Sequence, residues 1–225
     1  MSFNIAIDGP AGAGKSTIAR LLAKKLGFIY VDTGAMYRAM ALYFLNQGLE
    51  AGQEDEIRRA CEEVTISLSY EGGQQKVCLN GEDVSAAIRR EQVGKMASRT
   101  SPYPFVREKL LSLQRDMAKE HDVIMDGRDI GTCILPNAQL KIFLTASVET
   151  RAQRRYLELT EKGEDCDLEQ IKADIAARDH ADMTRETAPL KQAEDAVLVD
   201  SSDLDIDGVV AVMTELAAKA GVRHA

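Results

Sequence analysis

Eight residues near the start of the chain, Gly9-Pro10-Ala11-Gly12-Ala13-Gly14-Lys15-Ser16, constrain what it can fold into more than any other stretch. They fill the pattern G-x-x-x-x-G-K-[ST] completely, and their flanks fit as well. Asn4-Ile5-Ala6-Ile7-Asp8 is a short apolar run that reads as a buried strand. From Lys15 to Leu26, Ile18, Leu21, Leu22 and Leu26 recur at helical spacing, and Gly27 is a natural stop. A strand, a glycine-rich turn and a helix in that order make a phosphate cradle. The glycines let backbone N–H groups turn inward, and the helix N-terminus adds partial positive charge. Lys15 can reach the β- and γ-phosphates of a nucleotide, Ser16 can ligate Mg²⁺, and Thr17 offers a further hydroxyl. A plain strand-to-helix turn has no need of Lys-Ser after its last glycine.

The rest of the chain repeats the strand–helix alternation. Ile29-Tyr30-Val31-Asp32 is followed by a helical stretch from about Ala35 to Asn46. Further buried-strand candidates are residues 123–126, 140–144 and 196–200, and a last helix runs over about 206–219. Strands alternating with helices imply an α/β fold with a parallel sheet covered on both faces. One region breaks this rhythm: residues 64–69 and 76–79 alternate with period two around Gly72-Gly73, and Asn80-Gly81 marks a second turn. That is an antiparallel hairpin inserted into an α/β chain.

The loop specifies a nucleotide but no reaction, since kinases, GTPases and motor ATPases share it. Other residues narrow the choice. Val123-Ile124-Met125-Asp126 has the form of a strand delivering a carboxylate to Mg²⁺, with Asp126 acting through water, and Arg128 and Asp129 crowd the same strand end. Burying three charges there without partners would be costly, so stability alone does not explain them, and an Arg there can neutralise a phosphate with paired N–H donors. Thr33 can cap the helix after the second strand or touch a substrate, and Arg38 one turn on can point to an anion or into solvent. Arg151, Arg154 and Arg155 share one helix face, as do Arg178, Asp182 and Arg185. Either set could be a solvated surface. An anion between them would relieve their repulsion, and phosphoryl transfer provides one.

With 225 residues, 45% hydrophobic, the chain suits a single globular domain. Its net charge of −8 argues against broad nucleic-acid binding, while leaving room for a basic pocket in an acidic shell. No apolar run is long enough for a membrane span, and the N-terminus lacks the features of a signal peptide. Four scattered cysteines without a CxxC pair suggest reduced thiols in a cytoplasmic protein. None of His121, His180 and His224 is suited by its surroundings to acid–base work. No N-K-x-D guanine-reading motif occurs, which disfavours a regulatory GTPase.

These segments resemble the bacterial cytidylate kinase family over essentially the whole chain. The resemblance rests on residues 5–17, Asp32-Thr33-Gly34-Ala35-Met36-Tyr37-Arg38, Asp126-Gly127-Arg128-Asp129-Ile130-Gly131-Thr132, Lys141-Ile142-Phe143-Leu144 and Ala188-Pro189-Leu190. It implies a P-loop fold with a five-stranded parallel sheet flanked by helices, an antiparallel hairpin-containing monophosphate-binding insert and a helical lid. One domain would span 1–225, with a monophosphate-binding region at about 33–110, its hairpin insert at about 62–84 and a lid at about 151–168. The implied reaction is ATP-dependent phosphorylation of CMP and dCMP with Mg²⁺, by a monomer. The alternative is a kinase of UMP or of a non-nucleotide acceptor on the same fold. Residues Gly9 through Thr17 would bind ATP, and Ser16 and Asp126 would serve the metal. Arg38, Arg128 and Arg185 would clamp the acceptor phosphate. Arg178 and Asp182 would meet the ribose, and Ser98, Arg107 and Asp129 the cytosine. Thr33 stands where the family has Ser or Thr. Lys15, Arg128 and Arg185, with Arg151 and Arg155, would stabilise the moving charge. Ser98 has hydroxyl neighbours in Thr100 and Ser101, either of which could take its place.

Overall fold

The computed structural model describes residues 2–72 and 74–222, so Gly73 of the expected hairpin turn and His224 lie outside the described residues. Along the chain run β1 (Asn4–Asp8), α1 (Lys15–Leu26), β2 (Ile29–Asp32), α2 (Thr33–Asn46) and α3 (Glu54–Glu63). Then come β3 (Ile66–Glu71), β4 (Gln74–Leu79), β5 (Glu82–Asp83), α4 (Glu91–Thr100), α5 (Pro104–Glu120) and β6 (Val123–Gly127). β7 (Leu140–Thr145), α6 (Val148–Glu161), α7 (Leu168–Thr184), β8 (Val197–Asp200) and α8 (Ile206–Lys219) complete it.

The five strands expected from their apolar runs form one parallel sheet in the order β2-β6-β1-β7-β8. Side chains of successive strand residues point to opposite faces. Ile5 and Ile7 accordingly pack with α1 and α8, while Ala6, Val31 and Met125 pack with α2 and its neighbours. Two buried cores result, one on each face. The helix on the second face, α2, buries Met36, Ala39, Met40, Leu42 and Phe44, so it is apolar nearly all round. Expected to start near Ala35, it begins at Thr33, because the Asp32 carboxylate accepts from the Ala35 N–H at 2.8 Å and caps it. Thr33 is therefore not the cap. Its hydroxyl donates instead to the Asp126 carbonyl at 2.7 Å, tying α2 to β6.

The period-two region forms a separate antiparallel sheet, β3-β4-β5, with Ile66 opposite Leu79 and the second turn at Asn80-Gly81, both at positive φ. This sheet docks on the edge strand β2. Gln75 exchanges hydrogen bonds with the Asp32 backbone at 2.9 and 3.4 Å, and the Tyr70 hydroxyl donates to the Tyr30 carbonyl at 3.2 Å. Among the described residues no helix is long and apolar enough to cross a membrane, and all four cysteines are free thiols.

Candidate active site

All five parallel strands end on the same side, and β1 lies between β6 and β7, which continue in the chain on opposite sides of it. Ligands of open α/β sheets bind in the crevice at such a reversal. The loop from Gly9 to Lys15 leaves β1 there. Gly9 passes so close to β7 that a Cβ on it would sit 1.9 Å from the Leu144 carbonyl oxygen, so no other residue fits. Lys15 is buried, and its Nζ donates to the Pro10 carbonyl at 2.7 Å. Burial, and the Arg128 guanidinium after it, push the Lys15 pKa down. The protein thus holds this ammonium at a cost that a phosphate would offset.

Ser16 and Asp126 meet as the two motifs imply: the Ser16 hydroxyl donates to Asp126 Oδ2 at 2.9 Å, and Tyr30 donates to Oδ1 at 2.9 Å. Burial, then the nearby Asp32 carboxylate, raise the Asp126 pKa. A buried carboxylate beside a hydroxyl is a hard-oxygen donor set suited to Mg²⁺, which takes most of its ligands from phosphate and water. Among the described residues no cluster of three His, Cys, Asp or Glu side chains forms a metal cage. A Mg²⁺ brought in with a nucleotide needs none.

The cradle opens into a cavity of about 1170 Å³. Pockets for one small ligand run to roughly 300–1,000 Å³, so this one has room for two. Nine cationic and seven acidic side chains line it, a basic interior in a chain of net charge −8. At the end away from the cradle, arginines and acids interlock. Arg128 Nε donates to Asp182 Oδ2 at 2.8 Å. Arg185, nearly buried, lies 3.9 Å from Asp182 and 3.8 Å from Asp129. Arg107 pairs with Asp129 Oδ2 and sits 5.8 Å over the Tyr37 ring. Two arginines are under-used. Arg38 bonds Asp32 at 3.2 Å but leaves a buried Nε without a partner. Arg178 lines the cavity and forms no hydrogen bond or ion pair among the described residues. The protein walls around it and the Arg128 charge hold its pKa below the usual value. Unspent donors facing one space suit an anion. Ser98 and Ser101 of the α4 end also line the cavity, whereas Thr100 is buried with its hydroxyl spent on the Met96 carbonyl at 2.9 Å. That removes Thr100 as a rival to Ser98.

The arginines of α6 do not behave as one set, despite their shared face. Arg151 is buried and bidentate to Asp179, at 3.1 and 2.5 Å, and also donates to the Ala146 and Ala11 carbonyls at 2.9 Å each. Almost every N–H of Arg151 is thus committed to protein, which leaves it little to offer a transferring phosphate in this arrangement. Arg154 donates to the Ser201 carbonyl at 2.6 Å. Arg155 is exposed, pairs with Glu158 at 2.9 Å and still borders the cavity.

Sequence reasoning also missed the residues that hold the site together. Asp8, at the end of β1, accepts from the backbone N–H groups of Ile130 and Gly131 at 2.7 and 2.8 Å. It thereby fixes the wide π-type turn Ile130–Ile134 that follows Arg128 and Asp129. An aspartate closing an apolar strand was the available signal. Burial pushes its carboxyl up from 3.8 to about 6, with those two N–H groups opposing the rise. The folded chain then binds this proton more readily than the unfolded chain, so its contribution to stability grows as pH falls from about 6 towards 4 and is least favourable above 6. Wild-type protein should gain on Asp8→Asn by up to about 3 kcal/mol between pH 7 and 4, read by denaturant unfolding of both. A pH-independent difference would overturn this.

The family model for cytidylate kinase matches residues 5–219. The cytidylate kinase of Caldicellulosiruptor saccharolyticus is 54% identical over 95% of this chain and 94% of its own. That of Lactobacillus johnsonii is 51% identical over 96% and 94%. Among solved structures, a shikimate kinase from Bacteroides thetaiotaomicron is similar with a TM-score of 0.50, 13% identity and coverage of 96% of this chain and 98% of that one. An uncharacterized protein from Eubacterium ventriosum reaches 0.52 at 12% identity, covering 97% and 99%. At such identities these structures speak for the fold alone.

Proposed function

The chain belongs to the cytidylate kinase family, and on that premise we propose that it transfers the γ-phosphoryl group of ATP to CMP and dCMP, giving ADP with CDP or dCDP. One observation supports this above the others: the cradle and the Arg38–Arg128–Arg178–Arg185 cluster open into the same cavity, so two phosphates can meet there. A phosphate oxygen of the acceptor, already ionised, attacks the γ-phosphorus in line, and the bond to the β,γ-bridging oxygen breaks with ADP leaving. No general base is required. Residues Gly9 to Thr17, through their backbone N–H groups with Pro10 excepted, and the Lys15 ammonium hold the donor. Arg38, Arg128 and Arg185 hold the acceptor phosphate, with Thr33 beside it. Arg178 and Asp182 face the ribose; Ser98, Arg107 and Asp129 face the base. Ser16 and Asp126 would hold Mg²⁺, which would neutralise charge on the donor phosphates. Catalysis is then positioning and electrostatic stabilisation, with Arg155 available from α6.

The reading is of a monomer acting in the cytoplasm. Residues of about 33–110 would form the acceptor side and about 151–168 the lid, which in the structure cover most of α6 and the connection to α7. Rates measured with ATP and a panel of CMP, dCMP, UMP, AMP and shikimate test the reading. CMP and dCMP should lead. A faster reaction with UMP, AMP or shikimate would overturn it.

A further inference from the structure

The Arg151–Asp179 pair has no part in the chemistry above, yet it is among the most buried ionic contacts of the fold. Arg151 is 3% exposed and Asp179 8%. Burying such a pair is costly, and an apolar pair of similar size is often as stable, so its presence calls for another explanation. What Arg151 touches supplies one. Its guanidinium donates to the carbonyl of Ala11, in the middle of the phosphate cradle. Its aliphatic stem packs under the same loop, where a Cβ on Gly12 would lie 3.5 Å from the Arg151 Cβ. Its other donors run to Asp179 on α7. Asp179 follows Arg178 directly and precedes Asp182 by one turn, and Asp182 in turn holds Arg128. A close-packed line therefore joins the donor loop to the acceptor arginines: Ala11, Arg151, Asp179, α7, Asp182, Arg128. Packed interiors transmit small displacements because they have little free volume.

We propose that Asp179, acting through Arg151, is a positioning residue that couples the two substrate sites, so that occupancy of the phosphate cradle sets the placement of the α7 residues around the acceptor. This rests on the two-substrate reading above. Coupling of this kind is reciprocal: each ligand tightens the other by the same factor.

Calorimetric titration of ADP with and without saturating CMP measures that factor without turnover. In the wild type CMP should raise ADP affinity by about fivefold or more. Asp179→Asn leaves Arg151 buried and half-paired and should lower the factor, with Asp179→Glu restoring part of it. Because a lone buried charge can unfold a protein, the decisive variant is the double change Arg151→Met with Asp179→Leu, which removes both charges at similar volume. It should remain folded, bind each ligand alone within about threefold of wild type, and show a coupling factor within about twofold of one. A merely structural role would alter the melting temperature or both separate affinities and leave the factor intact. That outcome, or a wild type with both ligands bound and no coupling, overturns the proposal. A wild type that fails to bind CMP would instead overturn the reading of its substrate.

Discussion

Replacing Lys15 by alanine should lower the rate of phosphoryl transfer by on the order of 10³-fold or more, about 4 kcal/mol of transition-state stabilisation, while leaving the fold intact. The two halves of that expectation have one cause. In the folded chain the ammonium is buried, bonded only to the Pro10 carbonyl, and its pKa is pushed down by burial and by Arg128. Removing it relieves repulsion and loses one hydrogen bond, with the attraction of Asp126 and Asp8 as the opposing loss. Stability should change little. The transition state, by contrast, carries charge on the phosphoryl oxygens that no other residue of the cradle can meet with a full positive charge. Lys15→Met, which keeps the apolar stem, should be as inactive and at least as stable. Turnover within tenfold of wild type in either variant, with melting curves showing a folded protein, would remove Lys15 from the reaction.

The same contrast between local and distant information decides how much of the molecule could be foreseen. Strands β1, β2, β6, β7 and β8 announce themselves as apolar runs because a parallel sheet buries both faces of each strand. Their order does not, since β6 enters between β2 and β1 only after some 90 intervening residues. The hairpin was legible from its alternation, but β5 is two residues long and too short to carry a pattern. α2 starts two residues ahead of its helical pattern because Asp32 both closes β2 and caps the helix.

For the site, the backbone motif was fully legible and the arginines only partly. Spacing of i, i+3, i+4 puts Arg151, Arg154 and Arg155 on one face; it cannot say what the face meets. In the fold they take three different partners, Asp179, Ser201 and Glu158, and two of those come from distant elements. Arg151 accordingly braces α6 against α7 and the phosphate loop. The supports of the site, Asp8 under the Ile130–Ile134 turn and Tyr30 on Asp126, were invisible for the same reason: their partners lie 122 and 96 residues away.

Asp129→Ala should raise the KM for CMP and narrow the preference for CMP over UMP by roughly tenfold to a hundredfold. In the ligand-free structure Asp129 is 4% exposed, with Oδ2 engaged by Arg107 and Oδ1 3.8 Å from Arg185. Oδ1 accepts no hydrogen bond among the described residues, so this buried carboxylate keeps one oxygen for a donor. The 4-amino group of cytosine is such a donor. Uracil offers an acceptor at the same position and would face the carboxylate with both groups unpaired, a loss of about 1–3 kcal/mol. Alanine removes the penalty for uracil and the bond to cytosine together, and frees Arg107 to donate to the uracil oxygen. Asp129→Asn separates the two effects. Its amide can donate as well as accept, so it should raise the UMP rate more than it lowers the CMP rate. Steady-state constants for both acceptors at saturating ATP decide the matter. If the ratio of kcat/KM for CMP to that for UMP stayed the same in both variants, Asp129 would have no part in reading the base, and selectivity would have to come from Arg107 and Ser98.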